Sequence, residues 1–305
     1  MMHITNLDDG LELFKALGSE VRIQILKLLL ENKQMSMNQL ASRLNITSGA
    51  LTAHIKKMEG CGLITISNES AAHGNQKMCS ISTNKILIDI EEEEDIHNVH
   101  VTELKVGHYS DRSINPTCGL ATTKALIGET DDCRYFDHPD RFNADILWFT
   151  KGYVEYTIPN FIPRNQKITG ISISCELSSE APGINSNWPS DINFSINGIS
   201  VGTWTSPGDF GDSRGLLTPD WWPMNWNQYG LLKLLAITHK GTFIDGLRIS
   251  DVNIADLGLK PGAAIRFRMS VLENAKNVGG LTIFGKTFGN YSQDIKVSLN
   301  YAPID

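Results

Sequence analysis

Residues 36–64 contain two short amphipathic segments separated by a turn, and this pattern constrains the fold more than any other feature of the chain. In the second segment Leu51, Ile55 and Met58 recur at helical spacing, so they share one apolar face. A further segment that begins at Ser19 repeats this periodicity. The pattern predicts three helices that share one core.

The residues at the ends of these segments are typical of helix caps. Thr47 precedes the second segment as an N-cap, and Gly62 lies just past its end. Ser36 and Gln39 have the spacing of a capping box at the start of the first segment. The caps therefore predict where both helices of a helix-turn-helix begin, and where the second one ends.

The second helix carries small or polar side chains opposite its apolar face, and these side chains suit a DNA groove. Such a helix can enter the major groove, where polar groups reach base edges and a lysine reaches a phosphate. With the N-cap included, the predicted DNA-binding residues of this helix are Thr47, Ser48, Gly49, Thr52, Ala53 and Lys56.

Two β-like runs follow the second helix. LITIS and KMCSIS flank the polar stretch NESAAHGNQ, and the order predicts a hairpin with a Gly-Asn turn. Such a hairpin is the wing of a winged helix. We expect His73, Asn75 and Lys77 to contact phosphates or the minor groove.

With the wing in place, residues 11–82 resemble the ArsR family of bacterial winged-helix repressors. ALGSEVRIQILKLL is similar to the N-terminal signature of that family, and LNITSGALTAHIKKMEGCGLI matches its recognition-helix pattern without a gap. The resemblance implies a repressor that binds a double-stranded DNA operator. One winged helix makes few base contacts, so we expect a homodimer on a palindromic operator.

Members of the ArsR family often sense metal ions, and two family sites can be compared with this chain. The cysteine site falls within NQLASRL, which has no cysteine. The second site is present by count at Asp95, His97, His108 and Asp111. Its ligands converge only on a helix, whereas HNVHVTELKVGHYSD alternates as a strand does. We therefore expect no metal site, and a metal-responsive repressor remains an alternative.

Composition sets the remaining limits. The 305 residues suffice for two domains, and the chain has neither a signal peptide nor an apolar run of about 20 residues, so we expect a cytoplasmic protein without a membrane partner. Its five cysteines are scattered, which supports no disulfide framework. Charge is uneven: residues 1–90 hold nine Lys and Arg against eight acids, and residues 91–305 hold 18 against 26.

Helical periodicity almost vanishes from about residue 98. Runs such as ILWFT, KITGISIS and AIRFRMSV are rich in β-branched and aromatic residues and are separated by Gly, Pro and Asn. They predict an antiparallel β-sandwich of about eight or more strands, most commonly a jelly roll. Only GLLKLLAI suggests a short helix. The expected fold class is two-domain α+β, with an N-terminal winged helix-turn-helix and a C-terminal antiparallel β-sandwich of jelly-roll type.

Five of the six tryptophans fall within residues 188–226, in loops that also carry Asp and Asn. An indole face stacks on the C–H face of a sugar ring, while carboxylates, amides and Arg bind its hydroxyl groups. The sequence therefore predicts a carbohydrate site. Its candidate residues are Trp188, Asp191, Trp204, Asp209, Asp212, Arg214, Trp221, Trp222, Trp226 and Asn227.

The second half of the chain is similar to a jelly-roll domain that occurs fused to ArsR-type winged helices in Gram-positive bacteria. The stretches that carry this resemblance are NWPSDI, TSPGDFGD, WWP, QYGLLK and GGLTIFGKTFGNYSQDI. It implies a carbohydrate-related regulator, although a fold alone does not name the sugar.

Together these features predict a transcriptional regulator, a repressor of carbohydrate-utilisation genes. Its predicted parts are a DNA-binding domain at 1–90, an acidic linker at 91–97 and a sugar-sensing domain at 98–305. We expect no cofactor and no catalytic residue. A cytoplasmic carbohydrate-active enzyme is an alternative, with acids such as Asp209, Asp212 and Asp220, but no Ser/His/Asp order or metal triad accompanies them.

Overall fold

A computed structural model of the protein describes residues 2–4, 7–71, 74–83, 85–88 and 98–304. The chain divides into two compact units, Met1–Glu94 and Asp95–Asp305. The predicted acidic linker at 91–97 lies outside the described residues. Within the described ranges no helix has the length and apolar character needed to cross a membrane.

The described residues of the N-terminal unit form four helices and five short strands. In chain order these are β1 Met2–Ile4, α1 Leu11–Leu17, α2 Glu20–Asn32, β2 Gln34–Ser36, α3 Met37–Leu44, α4 Ser48–Gly60, β3 Ile64–Ala71, β4 Gly74–Ile81 and β5 Ile86–Ile88. Strands β2, β4 and β3 form an antiparallel sheet in that order, and β1 pairs with β5 in parallel.

The predicted helical faces are buried in one core. Leu51, Ile55 and Met58 of α4 are each at most 1% exposed, and they pack with Ile25 and Leu29 of α2. The capping box at the start of α3 is present: the Gln39 amide N–H donates to Ser36 Oγ, and the Ser36 N–H donates to Gln39 Oε1. The predicted winged helix-turn-helix is confirmed, but α1 adds Leu13 and Ala16 to this core, so four helices share it rather than the predicted three.

The wing differs from its prediction at the turn. Strands β3 and β4 pair as far as Ala71 opposite Gly74, so Gly74 and Asn75 belong to β4. The predicted Gly-Asn turn is therefore wrong, because both residues pair with β3 within the strand. Paired strands extend through the polar stretch because the backbone ladder does not require apolar side chains at an exposed hairpin tip.

The regular elements of the described C-terminal unit are twelve strands and three short 3-10 helices, Cys133–Asp137, Pro139–Asn143 and Ile254–Leu257. The strands are β6 Asn98–Leu104, β7 Asp111–Ala121, β8 Ile146–Ile158, β9 Gln166–Ser178, β10 Ser190–Ile196, β11 Ile199–Ser206, β12 Leu231–Thr238, β13 Gly241–Ile244, β14 Leu247–Ser250, β15 Ile265–Val271, β16 Leu281–Phe284 and β17 Ile295–Pro303. Each pairing among these strands is antiparallel, as predicted.

The strands form two arms that β16 connects. One arm has the order β11-β10-β15-β8-β7, and the other has the order β14-β13-β12-β9-β17-β6. Strand β16 pairs with β8 and with the end of β9, so all twelve strands belong to one sheet rather than to two separate sheets. Residues of both arms, such as Phe194, Phe267, Ile173 and Val297, share one core.

The segment GLLKLLAI is a strand, not a helix. It forms β12, which pairs with β9 on one side and β13 on the other. Leu235 and Ile237 face the large core, while Leu232 and Leu234 are buried outside that cluster. Both faces of β12 are therefore covered, and a strand buried on both faces has the same continuous apolar run as a buried helix.

The segment that carries the histidine spacing is extended, as predicted. Residues 98–104 form β6, which pairs with β17. His108 lies beyond β6 with its Nε2 3.2 Å from the carbonyl oxygen of Phe142, and Asp111 is the first residue of β7. The other two members, Asp95 and His97, lie outside the described residues. The helical geometry on which the family metal site depends does not occur at 98–104.

Candidate functional site

Helix α4 presents one exposed face of small and polar side chains. Ser48, Gly49, Thr52, Ala53 and Lys56 are all exposed. A Cβ atom added at Gly49 would meet no other atom within 4 Å, so the first turn of the helix is open to an approaching surface. The face has the shape and chemistry that a major groove accepts.

Two threonines of this region already use part of their hydrogen-bonding capacity within the helix. Thr47 Oγ1 accepts the Ala50 N–H at 3.2 Å as the N-cap. The Thr52 hydroxyl donates to the Ser48 carbonyl at 2.7 Å. Thr52 therefore offers a base an acceptor oxygen and a methyl group, whereas Thr47 serves mainly to begin the helix.

Arg22 of α2, which the sequence pattern did not indicate, contacts both α1 and α4. The Arg22 guanidinium donates to the carbonyl oxygens of Lys15 (2.6 Å) and Ala16 (2.7 Å), and its Nη1 lies 3.4 Å from Nδ1 of His54 on α4. Burial, followed by the charges of Arg22 and Lys57, lowers the pKa of His54. Arg22 of α2 thus binds the last turn of α1 through two carbonyl oxygens and also contacts α4.

The predicted wing contacts are only partly described. Lys77 is exposed on β4, opposite Asn68 of β3. Asn75 lies near the hairpin tip, opposite Ser70, and His73 lies outside the described residues. A lysine on an exposed hairpin is suited to a phosphate contact.

In the C-terminal unit the ten predicted ligand residues do not form one site. Trp222, 1% exposed, belongs to a second core with Trp148 and Phe288. Its indole N–H donates to the Asn227 carbonyl at 2.9 Å. Trp221 is 39% exposed, and its indole N–H donates to the Thr123 carbonyl at 2.6 Å. The Trp222 ring fills this second core and is closed to solvent, whereas the sequence predicted that it contacts a ligand.

Five more of the ten lie outside this second core. Trp188 is half-buried, and its indole N–H is buried without an acceptor among the described residues. Lys233 lies 4.7 Å from the ring centroid of Trp204. Asp191 accepts hydrogen bonds from Thr205 and Asn277, and Asp212 accepts one from the Tyr229 hydroxyl. Arg214 donates to the carbonyl oxygens of Pro219 and Trp222, 2.6 and 3.3 Å away. The contacts of Trp204, Asp191, Asp212 and Arg214 are thus with side chains and carbonyl groups of the protein itself.

The remaining three, Asp209, Trp226 and Asn227, come together around a cavity of about 160 Å³. We call it the acidic cavity. Three residues that the sequence did not indicate complete its chemistry: Asp131, Trp148 and Glu180. Its other lining residues are Thr117, Thr130, Ala181, Pro182 and Gly183. The cavity thus combines two indole rings, three carboxyl groups and one amide.

Carboxyl groups of the acidic cavity are strongly perturbed by burial. Asp209 is 1% exposed; its Oδ2 accepts the Ala181 N–H at 3.0 Å, and its Oδ1 has no partner among the described residues. Burial raises the pKa of Asp209 to about 7. Burial and the neighbouring Asp209 raise the pKa of Glu180 well above its usual range. Perturbed carboxyls in a concave site are typical of a functional site.

A larger cavity, of about 380 Å³, lies away from the tryptophans, against strands β8, β10 and β15. Its charged groups are already paired: Lys151 with Glu273, and Arg268 with Glu155. The Arg268 guanidinium also stacks on the Tyr153 ring, 3.7 Å from the centroid. Because these charged groups are paired with one another, the larger cavity offers fewer unpaired charged groups to a ligand than the acidic cavity does.

The arrangement of α3, α4 and the β3–β4 hairpin is that of a winged helix-turn-helix, and residues 19–65 match the family model described as winged helix-turn-helix DNA-binding. An uncharacterized protein of Methanocaldococcus jannaschii is 38% identical over 71 residues, which are 23% of this chain and 76% of that protein. The chain therefore belongs, through its N-terminal unit, to the winged helix-turn-helix DNA-binding family. It is a DNA-binding transcriptional regulator.

Some similar solved structures match about a quarter of the chain, and others match about two thirds of it. HlyU from Vibrio cholerae is 30% identical, covers 26% of this chain and 80% of its own, and has a TM-score of 0.22. The CBM36-1 domain of a multidomain xylanase from the hindgut metagenome of Trinervitermes trinervoides is 9% identical. It covers 68% of this chain and 100% of its own, with a TM-score of 0.30. These values assign neither a family nor a ligand to the C-terminal unit.

Proposed function

We propose that the protein is an ArsR-type repressor of carbohydrate-utilisation genes whose affinity for its operator is controlled by a sugar bound in the C-terminal unit. The observation that carries the sugar is the acidic cavity, where the indoles of Trp148 and Trp226 adjoin the carboxyls of Glu180 and Asp209. Indole faces and carboxylates are complementary to the two kinds of surface that a sugar ring presents. We propose in addition that the fold of the C-terminal unit is a jelly roll.

For DNA, the proposal assigns base contacts to Ser48, Gly49, Thr52 and Ala53, and a phosphate contact to Lys56. The exposure of all five side chains on α4 supports this assignment. Lys56→Ala should weaken binding to all sequences and reduce the salt dependence by about one phosphate contact. Lys57→Ala is the matched control, because Lys57 acts electrostatically on Glu12 of α1 and therefore lies toward that helix.

The measurement is fluorescence anisotropy of the full chain on an operator selected from random duplexes, repeated over a series of salt concentrations. An equal loss of affinity in the Lys56 and Lys57 variants would contradict the assigned face. Sedimentation of the protein on the same operator tests the expected homodimer, with half-sites about 10 base pairs apart. A monomer that binds with full affinity would exclude the dimer.

If a sugar controls operator binding, the binding of sugar and the binding of operator are coupled. Each ligand then changes the affinity for the other by the same factor. A sugar that weakens operator binding by about 1 to 3 kcal/mol must itself bind more weakly, by the same factor, to the operator complex. Trp226→Ala should abolish the response and keep operator binding, whereas Trp221→Ala should keep both, because the Trp221 ring lies outside the acidic cavity. Sugar binding that is identical in the free and operator-bound protein would disprove control of this kind.

A further inference from the structure

The carboxyl groups of the acidic cavity have no basic partner. No lysine or arginine lines the cavity, and among the described residues none forms an ion pair with Asp131, Glu180 or Asp209. Without a counter-charge, burial favours the protonated form of these carboxyl groups, and a bound cation would stabilise their charged form. We propose that the acidic cavity binds a ligand that carries a protonated amine, so that the effector is an amino sugar; this inference rests on the proposed sugar response.

Asp209 supplies the first reason. Its side chain is 99% removed from solvent, yet Oδ1 has no hydrogen-bond donor among the described residues. Buried polar atoms are almost always bonded, and an exception calls for a missing partner. Because an ammonium group has three donors and no acceptor, it satisfies this atom and a neighbouring carboxyl oxygen together.

Glu180 supplies the second reason. The Asn227 amide and the Thr282 hydroxyl both lie within hydrogen-bond distance of Oε2, at 3.0 and 3.1 Å. These contacts hold the carboxyl group in one orientation at the cavity wall. A ligand ammonium group that binds there meets a carboxyl that is already positioned, so little side-chain entropy is lost on binding.

The spacing of the three carboxyl groups and the presence of two indole rings favour an organic ammonium group over a metal ion. Among the described residues no group of three or more His, Cys, Asp or Glu side chains is placed to hold a metal ion, so the three carboxyls do not converge on one ion. The rings of Trp148 and Trp226 lie 6.1 Å apart at the same cavity. Indole faces attract organic ammonium groups. A volume of about 160 Å³ equals that of roughly five water molecules and accommodates one small ligand rather than a long chain.

The test compares amino sugars with their neutral parents on the full chain at pH 7. Glucosamine, galactosamine and mannosamine are titrated calorimetrically beside glucose, galactose and mannose. We expect at least one amine to bind about tenfold or more tightly than its parent, which corresponds to about 1.4 kcal/mol. Glu180→Gln and Asp209→Asn should remove that preference, whereas Asp220→Asn, which neutralises an exposed acid outside the cavity, should keep it.

The outcomes separate the inference from the proposed function. A neutral sugar that binds as tightly as its amine overturns the inference and leaves the sugar response intact. Failure of all six sugars to bind overturns both. The comparison on the unsubstituted chain decides between these outcomes even if a substitution prevents folding. A preference for the amine that persists in both carboxyl variants also overturns the inference.

Discussion

Both carboxylate oxygens of Glu176 accept the backbone N–H of Asn290, at 2.9 and 3.0 Å. The same carboxylate accepts the N–H groups of Gly230 and Tyr291, so one side chain on β9 connects β12 to the loop between β16 and β17. Gly289 makes this possible: its φ is +75°, and a Cβ atom there would lie 2.3 Å from Glu176 Oε1. The loop thus closes around a buried acid.

Replacing Glu176 with Gln should destabilise the C-terminal unit by about 2 to 4 kcal/mol. The Gln amide would direct N–H groups at backbone N–H groups and leave buried donors unpaired. Urea denaturation followed by circular dichroism measures the loss. Glu129→Gln, on the exposed surface, is the matched control for a neutralised glutamate. A Gln variant as stable as the unsubstituted protein would show that the amide side chain is accommodated.

Trp222 is expected to support the acidic cavity without contacting its ligand. Its ring makes edge contacts with Trp148 and Trp226, with centroids 5.6 and 4.9 Å away. Trp222→Ala should therefore cost about 3 to 5 kcal/mol of stability through the space left in the core. Trp221→Ala should cost about 1 kcal/mol, because it loses one partly exposed hydrogen bond. Thermal unfolding of both variants checks the difference, and equal losses would contradict it.

Stability of the C-terminal unit should depend on the ionisation of Asp209. Burial raises its pKa from 3.8 to about 7, so the folded protein holds this proton where the unfolded chain has lost it. The contribution of Asp209 is therefore largest below about pH 4, falls as the pH rises to about 7 and is constant above that. The loss is on the order of a few kcal/mol. Glu180, the acid next to it, acts in the same direction.

Asp209→Asn removes one ionisable group and should flatten this profile. The variant should unfold at a higher temperature than the unsubstituted protein at pH 8, and the difference should shrink at pH 4. Melting curves across this range measure the effect, with Asp220→Asn as the exposed control. If the variant and the unsubstituted protein changed in parallel with pH, Asp209 would not be the titrating group.

Thr52 should discriminate at a single base pair. Its hydroxyl proton is used by the Ser48 carbonyl, so the oxygen can only accept from a base amino group, and the methyl can contact thymine. Thr52→Ala should lose about 1 to 3 kcal/mol of preference at that pair and little elsewhere. Thr52→Val keeps the methyl group and removes the hydroxyl oxygen, so it distinguishes the thymine contact from the hydrogen bond to a base amino group. Competition against operators changed one pair at a time is the measurement, and a uniform loss across them would contradict it.

The sequence predicted those features that depend on residues close together along the chain. The caps at Ser36 and Thr47 and the buried face of Leu51, Ile55 and Met58 involve residues three or four positions apart, and the structure confirms them. Local spacing also predicted the strand at 98–104. It did not predict the hairpin turn, because the pairing register follows from the ladder as a whole.

The acidic cavity was decided by tertiary structure. Asp131, Trp148 and Glu180 lie far from Trp226 in sequence, and strand pairing across the C-terminal unit brings them to one cavity. Trp222 and Trp226 stand four positions apart, yet one fills the core and the other lines the cavity. Composition predicted aromatic and acidic side chains in this region. Which of them meet, and which are buried, depends on antiparallel pairings between distant segments that local periodicity does not encode.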